Sequence, residues 1–211
     1  MKSTKILGLT VGCLALAGVS SAQQVISAKS GLVNYVQGDV RLDGKPVEVK
    51  IGNFPTVGRQ SELRTDEGRA EVLLGPGVFL RLGENSAFKM TSDRLSDTRV
   101  DFVEGSMIVQ AADLSKDESV AITHKGAVIS LTKNGVYRMD SDPARLMVYD
   151  GEARVEQNGQ SQVVKRSKQL LLNGVSMAEK FDNKTGDSLY RWARRRDGDL
   201  AVANISAARS V

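Results

Sequence analysis

The feature of this sequence that most restricts its fold is a series of short alternating apolar and polar runs, each broken by glycine, from Gly31 to Gly174. β-Branched and aromatic residues fill the runs, and glycine, proline and short polar residues separate them, which is typical of strands and turns. The runs recur about every ten residues, a spacing typical of sandwiches and rolls. We find no sustained helical periodicity in this stretch. The sequence therefore predicts an all-β fold, an antiparallel β-sandwich or β-roll of many short hairpins.

One local pattern occurs three times within these runs. An apolar residue is followed by glycine, a small or acidic residue and then an apolar alternation, at Val36–Leu42, Phe102–Val109 and Val148–Val155. The spacing between the copies is irregular, which argues against a solenoid of fixed period. We interpret the pattern as shared hairpin chemistry.

The first 22 residues have the layout of a secretory signal peptide. Lys2 and Lys5 precede an apolar run from Ile6 to Val19, and small residues end the segment at Ala22. The run is shorter than the roughly 20 residues that cross a bilayer as a helix, and no second long apolar run follows. We expect cleavage before Gln23 and an exported, periplasmic or secreted protein without a transmembrane segment.

Cys13, within the apolar run, is the only cysteine of the chain. A lipid-modified cysteine is one interpretation, but Thr10-Val11-Gly12 lacks the leucine usually found three positions upstream. We favour the alternative that Cys13 is one more apolar residue of the signal. The processed chain would then contain no disulfide, and its core must hold it together.

The remaining chain divides by composition into a β domain at residues 23–178 and a helical, basic tail at residues 179–211. Residues 23–178 carry 20 basic and 20 acidic side chains. A neutral body argues against broad electrostatic capture of nucleic acid. In the tail, Asp187 or Ser188 could cap a short helical segment that runs through Leu189, Tyr190, Trp192 and Ala193. We expect Gly198 to interrupt it, and a second turn or two could resume at Leu200, Val202, Ala203 and Ile205.

The tail also contains the most distinctive local cluster of the sequence. Arginines beside aromatic rings can bind acidic polymers, lipid headgroups or bases. The candidate interaction residues are Tyr190, Arg191, Trp192, Arg194, Arg195 and Arg196. The alternative is a solvated helix face. Because Tyr190 and Trp192 lie two positions apart, they do not share a helical stripe; either one packs on the β body, or the tail is mobile.

Side chains that could support catalysis are few. The single histidine, His124, falls at a predicted strand end, on the same side as Val120 and Ile122, and we interpret it as structural. The paired carboxylates are Asp66 with Glu67, Asp97 with Asp101, and Asp140 with Asp142. All but Asp101 fall in predicted loops, where acidic residues usually bond the local backbone, and none has the spacing of a calcium loop. We therefore predict no catalytic, metal or cofactor residues and no enzymatic activity.

The ordered series of runs from Leu32 to Gln157 resembles the periplasmic FecR signalling domain. The resemblance is carried by five segments, Gly31–Leu42, Val57–Thr65, Arg69–Leu82, Val103–Ser106 and Val148–Val155. The chain departs from the family pattern at Thr123-His124, where Thr-Pro is frequent, and at Gly135-Val136, where Gly-Thr is frequent. The best-known members of that family are single-pass inner-membrane regulators whose N-terminal cytoplasmic segment controls a sigma factor. Because the apolar run begins at Ile6, we expect that segment to be absent here. The resemblance therefore implies the extracytoplasmic domain alone, without control of a sigma factor.

Three functional hypotheses are compatible with this sequence. The first is a non-catalytic exported FecR-like domain, a protein-interaction or signal-sensing and scaffold module of the bacterial cell envelope that binds an envelope protein. The alternative is a polysaccharide-binding envelope domain in which loop carboxylates act with Tyr35, Tyr149 or Trp192 as sugar platforms. The third is a structural component of the cell surface without a ligand.

Overall fold

A computed structural model describes residues 29–50 and 53–209, with side chains described as far as Gly198. The expected signal peptide, and Cys13 within it, lie outside the described residues. No helix in the described ranges is both long enough and apolar enough to cross a membrane.

The described chain forms fifteen β-strands and one α-helix. In chain order they are β1 Leu32–Leu42, β2 Lys45–Pro46, β3 Glu62–Gly75, β4 Val78–Leu82, β5 Ser86–Arg94, β6 Asp97–Glu104, β7 Ser106–Ala111, β8 Val120–His124, β9 Ala127–Leu131, β10 Gly135–Ser141, β11 Ala144–Asp150, β12 Glu152–Gln157, β13 Gln160–Lys165, β14 Lys168–Leu171, β15 Glu179–Lys180 and α1 Ser188–Arg209. The predicted all-β class is confirmed.

All the strands belong to one continuous sheet. Its order is β13-β12-β9-β8-β6-β5-β3-β4-β7-β10-β11-β14-β15, and β1 pairs with β3 and with the short β2. Among the strands described, β6 with β8 is the one parallel pair, and the other pairings are antiparallel. Six pairs of consecutive strands form tight hairpins, as the alternation predicts: β1-β2, β3-β4, β5-β6, β8-β9, β10-β11 and β12-β13. β14 and β15 also pair, across a longer loop.

The long strand β3 divides the sheet into two halves. Its first residues pair with β5, where Leu63 lies opposite Phe88, and its last residues pair with β4, where Leu73 lies opposite Phe79. Buried side chains from both halves, including Val164 of β13 and Leu170 of β14, belong to a single hydrophobic core. The sheet is therefore folded over on itself, with its apolar faces inward, as in a sandwich or roll.

The three copies of the glycine pattern are not hairpins, which corrects the sequence interpretation. β6 and β7 meet at Gly105 and β11 and β12 meet at Gly151, yet neither pair is hydrogen-bonded together. At these two positions the chain passes from one half of the sheet to the other. The third copy lies within β1, where the register shifts between Gly38 and Val40. All three glycines have positive φ values, 72°, 87° and 91°, which glycine adopts without the penalty of a Cβ.

The predicted C-terminal helical segment is confirmed as α1, but it is continuous where the sequence predicts an interruption. The Asp187 side chain caps it by accepting a hydrogen bond from the Tyr190 amide at 2.9 Å, as expected. The helical backbone then continues through Gly198 to Arg209, so the expected interruption at Gly198 is wrong. One glycine costs a helix only about 1 kcal/mol relative to alanine, which is too little to end it.

Candidate interaction surface

One side of α1 docks on the outer face of the sheet. Leu189, Trp192 and Ala193 are 5%, 5% and 2% exposed and form a small apolar cluster with Ile108 of β7. With Arg196 they occupy positions i, i+3, i+4 and i+7, a single stripe of the helix. The sheet contributes Ile108 to this cluster from the face opposite the main core, because neighbouring side chains of a strand point to opposite faces.

A buried charged network lies beneath this stripe. Glu71 of β3 and Arg81 of β4 have no exposed surface, and Arg81 Nε lies 2.7 Å from Glu71 Oε2. The other carboxylate oxygen accepts hydrogen bonds from Asn34 Nδ2 and from Arg196 Nη2, each at 2.7 Å. Arg81 also donates to Gln110 Oε1 at 2.6 Å. Three side chains thus satisfy one buried carboxylate, as burial of a charge requires.

These contacts keep Glu71 ionised. Burial by itself raises the pKa of its carboxyl, but the hydrogen bond from Arg196 and the positive charge of Arg81 outweigh burial and leave the pKa below its ordinary value. The helix therefore contributes a cation to a site that the sheet alone leaves partly satisfied.

Aromatic rings surround the same contact. The guanidinium carbon of Arg196 lies 4.5 Å from the ring centre of Tyr35, and the Tyr35 ring lies 6.0 Å from that of Trp192. Arg69 approaches the other ring, with its guanidinium carbon 5.9 Å from the centre of Trp192. Both arginines are in the range of cation–π attraction, which strengthens where water is excluded.

The start of α1 is held by a second set of contacts. Arg138 Nη1 lies 2.6 Å from Asp187 Oδ2, and Arg138 Nε lies 2.8 Å from Oδ1 of Asp140, which is 4% exposed. Burial raises the pKa of Asp187, but the hydrogen bonds from the Tyr190 amide and from Arg138 outweigh it and lower the pKa overall. The Tyr190 ring also stacks on Tyr149, with ring centres 4.3 Å apart. Asp187, which caps the helix, and the ring of Tyr190 therefore both attach the helix to the sheet.

The structure divides the six residues of the predicted cluster into two groups. Tyr190, Trp192 and Arg196 contact the sheet, so both aromatic residues pack on the β body. Arg191, Arg194 and Arg195 are exposed on the opposite side of α1. Arg191 donates to the Gly186 carbonyl at 2.6 Å, at the start of its own helix. The arginines left on the surface form a short cationic stripe, which we call the arginine stripe.

The rings expected to act as sugar platforms are covered in this arrangement. Trp192 and Tyr149 are 5% and 6% exposed, and Tyr35 packs between Trp192 and Arg196. A sugar ring stacks on an open aromatic face, and the docked helix leaves no such face on Trp192 or Tyr149.

The candidate acid–base residues are placed mainly in strands. His124 ends β8 and is 2% exposed; its Nδ1 lies 2.7 Å from the Phe102 carbonyl, which identifies Nδ1 as the protonated nitrogen. Burial lowers the pKa of His124 despite this bond. Nε2 faces no hydrogen-bond partner among the described residues. The ring packs against Phe102 at 4.8 Å between centres, as for a structural histidine.

The expectation that the paired carboxylates lie in loops is wrong for most of them. Asp66 and Glu67 lie within β3, Asp97 begins β6, and Asp140 lies in β10. The Asp140 carboxylate forms ion pairs with Arg138 and with Arg145, each at 2.8 Å, and accepts a hydrogen bond from the Ser106 hydroxyl at 2.8 Å. No group of three or more potential ligands from His, Cys, Asp and Glu is assembled within the described ranges.

The sequence reasoning missed Glu71 and Arg81, the centre of the charged network. Each sits in an apolar strand, flanked by Ala70 and Val72 or by Leu80 and Leu82, all buried. Glu71 and Arg81 lie opposite each other in two paired strands, and both point to the outer face of the sheet. Two opposite charges at matching positions of a predicted hairpin are the sequence signal that could have identified this pair.

The fold and this surface define a class of protein: a folded-over β-sheet module that carries a docked C-terminal helix. The chain belongs to the FecR family, because the family model described as FecR protein matches residues 61–173, more than half of the chain. The match begins after β2 and ends in the turn after β14, so it extends beyond the Gln157 limit of the resemblance and leaves β1, β2, β15 and α1 outside.

Similar solved structures share the fold. Two crystal structures of a candidate anti-sigma factor from Parabacteroides distasonis ATCC 8503, at 2.50 and 1.65 Å resolution, match with a TM-score of 0.50 and 14% identity. Each match covers 58% of this chain and 61% of the other, so the likeness extends to less than two thirds of that protein. No curated protein matches the sequence.

Proposed function

We propose that this chain is an exported, non-catalytic FecR module of the bacterial cell envelope that senses or relays a signal by binding an envelope protein. Three observations support the proposal: membership of the FecR family, the signal-like first 22 residues, and a fold shared with a candidate anti-sigma factor. The interaction surface that we assign to it is the arginine stripe of α1.

The observation that carries this assignment is the orientation of the stripe. Docking through Trp192 and Arg196 points Arg191, Arg194 and Arg195 away from the sheet. Many of the other surface arginines are paired with carboxylates, such as Arg41 with Asp39, Arg64 with Glu62, Arg94 and Arg99 with Asp97, and Arg166 with Asp150. The exposed Arg59 and Arg154 make no ion pair among the described residues either, but they are isolated from each other in the sequence, whereas the stripe groups three arginines on one side of a helix. Within the described residues, Arg194 and Arg195 have no such partner. An acidic surface on another protein would supply it.

The size of the stripe favours a protein over a lipid surface. Each arginine near an anionic membrane contributes only about 1 kcal/mol, and membrane-binding segments usually carry four to eight such residues. Three arginines held on a rigid helix instead match the bidentate pairing of guanidinium with carboxylate groups on a protein.

The test is capture of envelope proteins with the full chain and a stripe variant. In the variant, Arg191, Arg194 and Arg195 are replaced by alanine. After crosslinking in intact cells, wild-type protein should recover a reproducible partner, and the variant should recover at least tenfold less. Binding of the purified chain to that partner, measured without a crosslinker, should weaken as salt increases, because exposed charges are screened.

The matched control removes arginines elsewhere. Arg59 and Arg154 are exposed and make no ion pair among the described residues, so Arg59→Ala with Arg154→Ala should leave recovery unchanged. Equal loss in the control and in the stripe variant would contradict the assignment. A partner recovered equally by all three proteins would place the interaction on another surface.

Export has its own test. The mass of protein recovered from the periplasm or medium should correspond to a chain that begins at Gln23. Recovery of the whole chain from the cytoplasm alone would contradict an exported module.

A further inference from the structure

The structure contains a second surface, at the free edge of the sheet. Three of the described strands pair on one side only: β13 and β15 at the ends of the main strand order, and β2 beside β1. β2 and β15 contain two residues each. β13, with six residues, pairs with β12 on one side only. A free strand edge carries unpaired backbone donors and acceptors and can pair with another strand.

The register identifies which residues of β13 offer these groups. β12 and β13 are joined by Asn158-Gly159, with φ values of 52° and 74°, a two-residue turn whose flanking residues form a hydrogen-bonded pair. The Arg166 amide donates to the Gly151 carbonyl at 3.1 Å. Arg166 lies six positions after Gln160, so this bond fits an alternation in which every second residue bonds towards β12. Because bonding alternates along an antiparallel ladder, Gln160, Gln162 and Val164 bond towards β12. Ser161, Val163 and Lys165 direct their amide and carbonyl groups outward.

We propose that this edge binds a second copy of the chain, antiparallel, with the two-fold axis at Val163. In that register Val163 faces its own counterpart, and Ser161 faces Lys165 of the second copy. All three residues direct their backbone groups outward, so the arrangement forms six inter-chain hydrogen bonds. Residue i then meets residue j and j meets i, as a two-fold interface requires.

Charge complementarity favours a second copy. Glu156 of β12 lies beside Ser161 in register, is exposed and has no ion-pair partner among the described residues. In the proposed register, Lys165 of the second copy lies on the far side of Ser161. Serine is small, so the lysine can cross it to reach Glu156. The two-fold axis repeats this pairing, and no like charges are brought opposite each other along the strand.

Exposed apolar side chains lie at the same edge. Val163 is 41% exposed on the outer face. Val175 and Met177, at 84% and 85%, flank Ser176, whose carbonyl accepts a hydrogen bond from Gln162 at 3.1 Å. This bond holds Ser176 beside Gln162, so the apolar pair lies next to the edge strand, on the face opposite Val163. A second copy added at the edge brings its own Val163 against Val163 on one face and its own Val175 and Met177 to the other face.

Disulfide trapping tests the register directly. The full chain is used with Cys13→Ser, so that an introduced cysteine is the only one. Facing residues of a hydrogen-bonded antiparallel pair lie about 5.5 Å apart between Cα atoms, within the range of a disulfide. Under mild oxidation, Val163→Cys should form a covalent dimer. Ser161→Cys and Lys165→Cys should not do so alone, but their mixture should.

Sedimentation provides the independent measurement. The wild-type chain should show a concentration-dependent equilibrium between monomer and dimer. Val163→Pro removes an outward donor without breaking a bond to β12 and should weaken dimerisation at least tenfold, whereas Val163→Thr should not. The proposal is overturned by a chain that stays monomeric, by Ser161→Cys trapping as readily as Val163→Cys, or by full dimerisation of the proline variant. The arginine stripe plays no part in these measurements, so the proposed function is tested separately.

Discussion

Arg196 and Glu71 are 125 residues apart in the chain, and their side chains meet at 2.7 Å between Nη2 and Oε1. The carboxylate has no exposed surface, and the guanidinium comes from a helix that is also held by a small apolar cluster, by its capping contacts and by ring contacts with the sheet. Through this contact the C-terminal helix supplies one of the hydrogen bonds that the buried carboxylate of the sheet accepts.

Removal of this cation should destabilise the protein. We expect Arg196→Ala to lower the free energy of unfolding by about 2 kcal/mol, because one hydrogen bond to a buried charge is lost while those from Asn34 and Arg81 to Glu71 remain. Arg195→Ala, on the exposed side of the same helix, should change it by less than about 0.5 kcal/mol. Urea unfolding followed by circular dichroism measures both, and equal effects would mean that the contact contributes nothing.

The start of α1 offers a way to separate capping from charge. Asp187→Ala removes both the cap and the ion pair with Arg138 and should cost about 1–2 kcal/mol. Asp187→Asn retains an oxygen for the cap, and because the side chain is half exposed, loss of the ion pair should cost less than about 1 kcal/mol.

Trp192, the single tryptophan of the chain, reports the docking of the helix in the same variants. Its indole is buried, so acrylamide should quench its fluorescence weakly in the wild type and more strongly in Asp187→Ala. Stronger quenching in Asp187→Asn than in Asp187→Ala would contradict the capping role.

Two glycines with positive φ provide a contrast between strain and crowding. At Gly105, φ is 87° and an added Cβ would collide with the backbone of Asn85 and Ser86. At Gly126, φ is 77° and an added Cβ meets nothing within 4 Å. Gly126→Ala should therefore cost about 1–2 kcal/mol, from the left-handed backbone alone. Gly105→Ala should cost distinctly more. Thermal unfolding compares the two, and similar midpoints would show that the corner at Gly105 relaxes freely.

The same glycines show what the sequence could reveal and what it could not. Alternation located the strands, because a strand with one buried face must alternate. The residues around Gly105 and Gly151 look like those of a hairpin turn, since positive φ is required in both settings. Whether the flanking strands then pair depends on which other strands lie beside them. That information is distributed over the whole sheet rather than located at the turn.

The candidate surface was predictable in part. Sequence composition drew attention to the cluster around Trp192, but the separation of Arg196 from Arg194 and Arg195 depends on which side of the helix faces the sheet. That choice is fixed by Ile108 and by the buried Glu71, residues far away in the chain. No local pattern around residue 190 contains either partner, so the division into docking and exposed arginines required the structure.

Acid should destabilise the protein in two separable steps. Burial lowers the pKa of His124 below its ordinary value of 6.5, so the unfolded chain binds this proton more readily. Stability is therefore full above that value and falls as the pH decreases below it. Burial raises the pKa of Glu71, but the hydrogen bond from Arg196 and the charge of Arg81 outweigh burial and lower the pKa below 4.5. The stability that the ionised Glu71 contributes to the fold is therefore lost only as the pH falls below 4.5.

The single histidine makes the first step testable, since no other side chain type ordinarily titrates near neutral pH. Urea unfolding at intervals from pH 7.5 to 5.5 should show the wild type losing stability as the pH falls. His124→Gln, whose amide can still donate to the Phe102 carbonyl, should be less dependent on pH over the same range, whatever its stability at pH 7.5. A variant with the same slope as the wild type would mean that the buried ring accepts its proton without penalty.

The second step is tested with Arg196→Ala. Below pH 4.5, this variant should lose less stability per pH unit than the wild type, because without Arg196 the pKa of Glu71 in the folded protein is closer to its value in the unfolded chain.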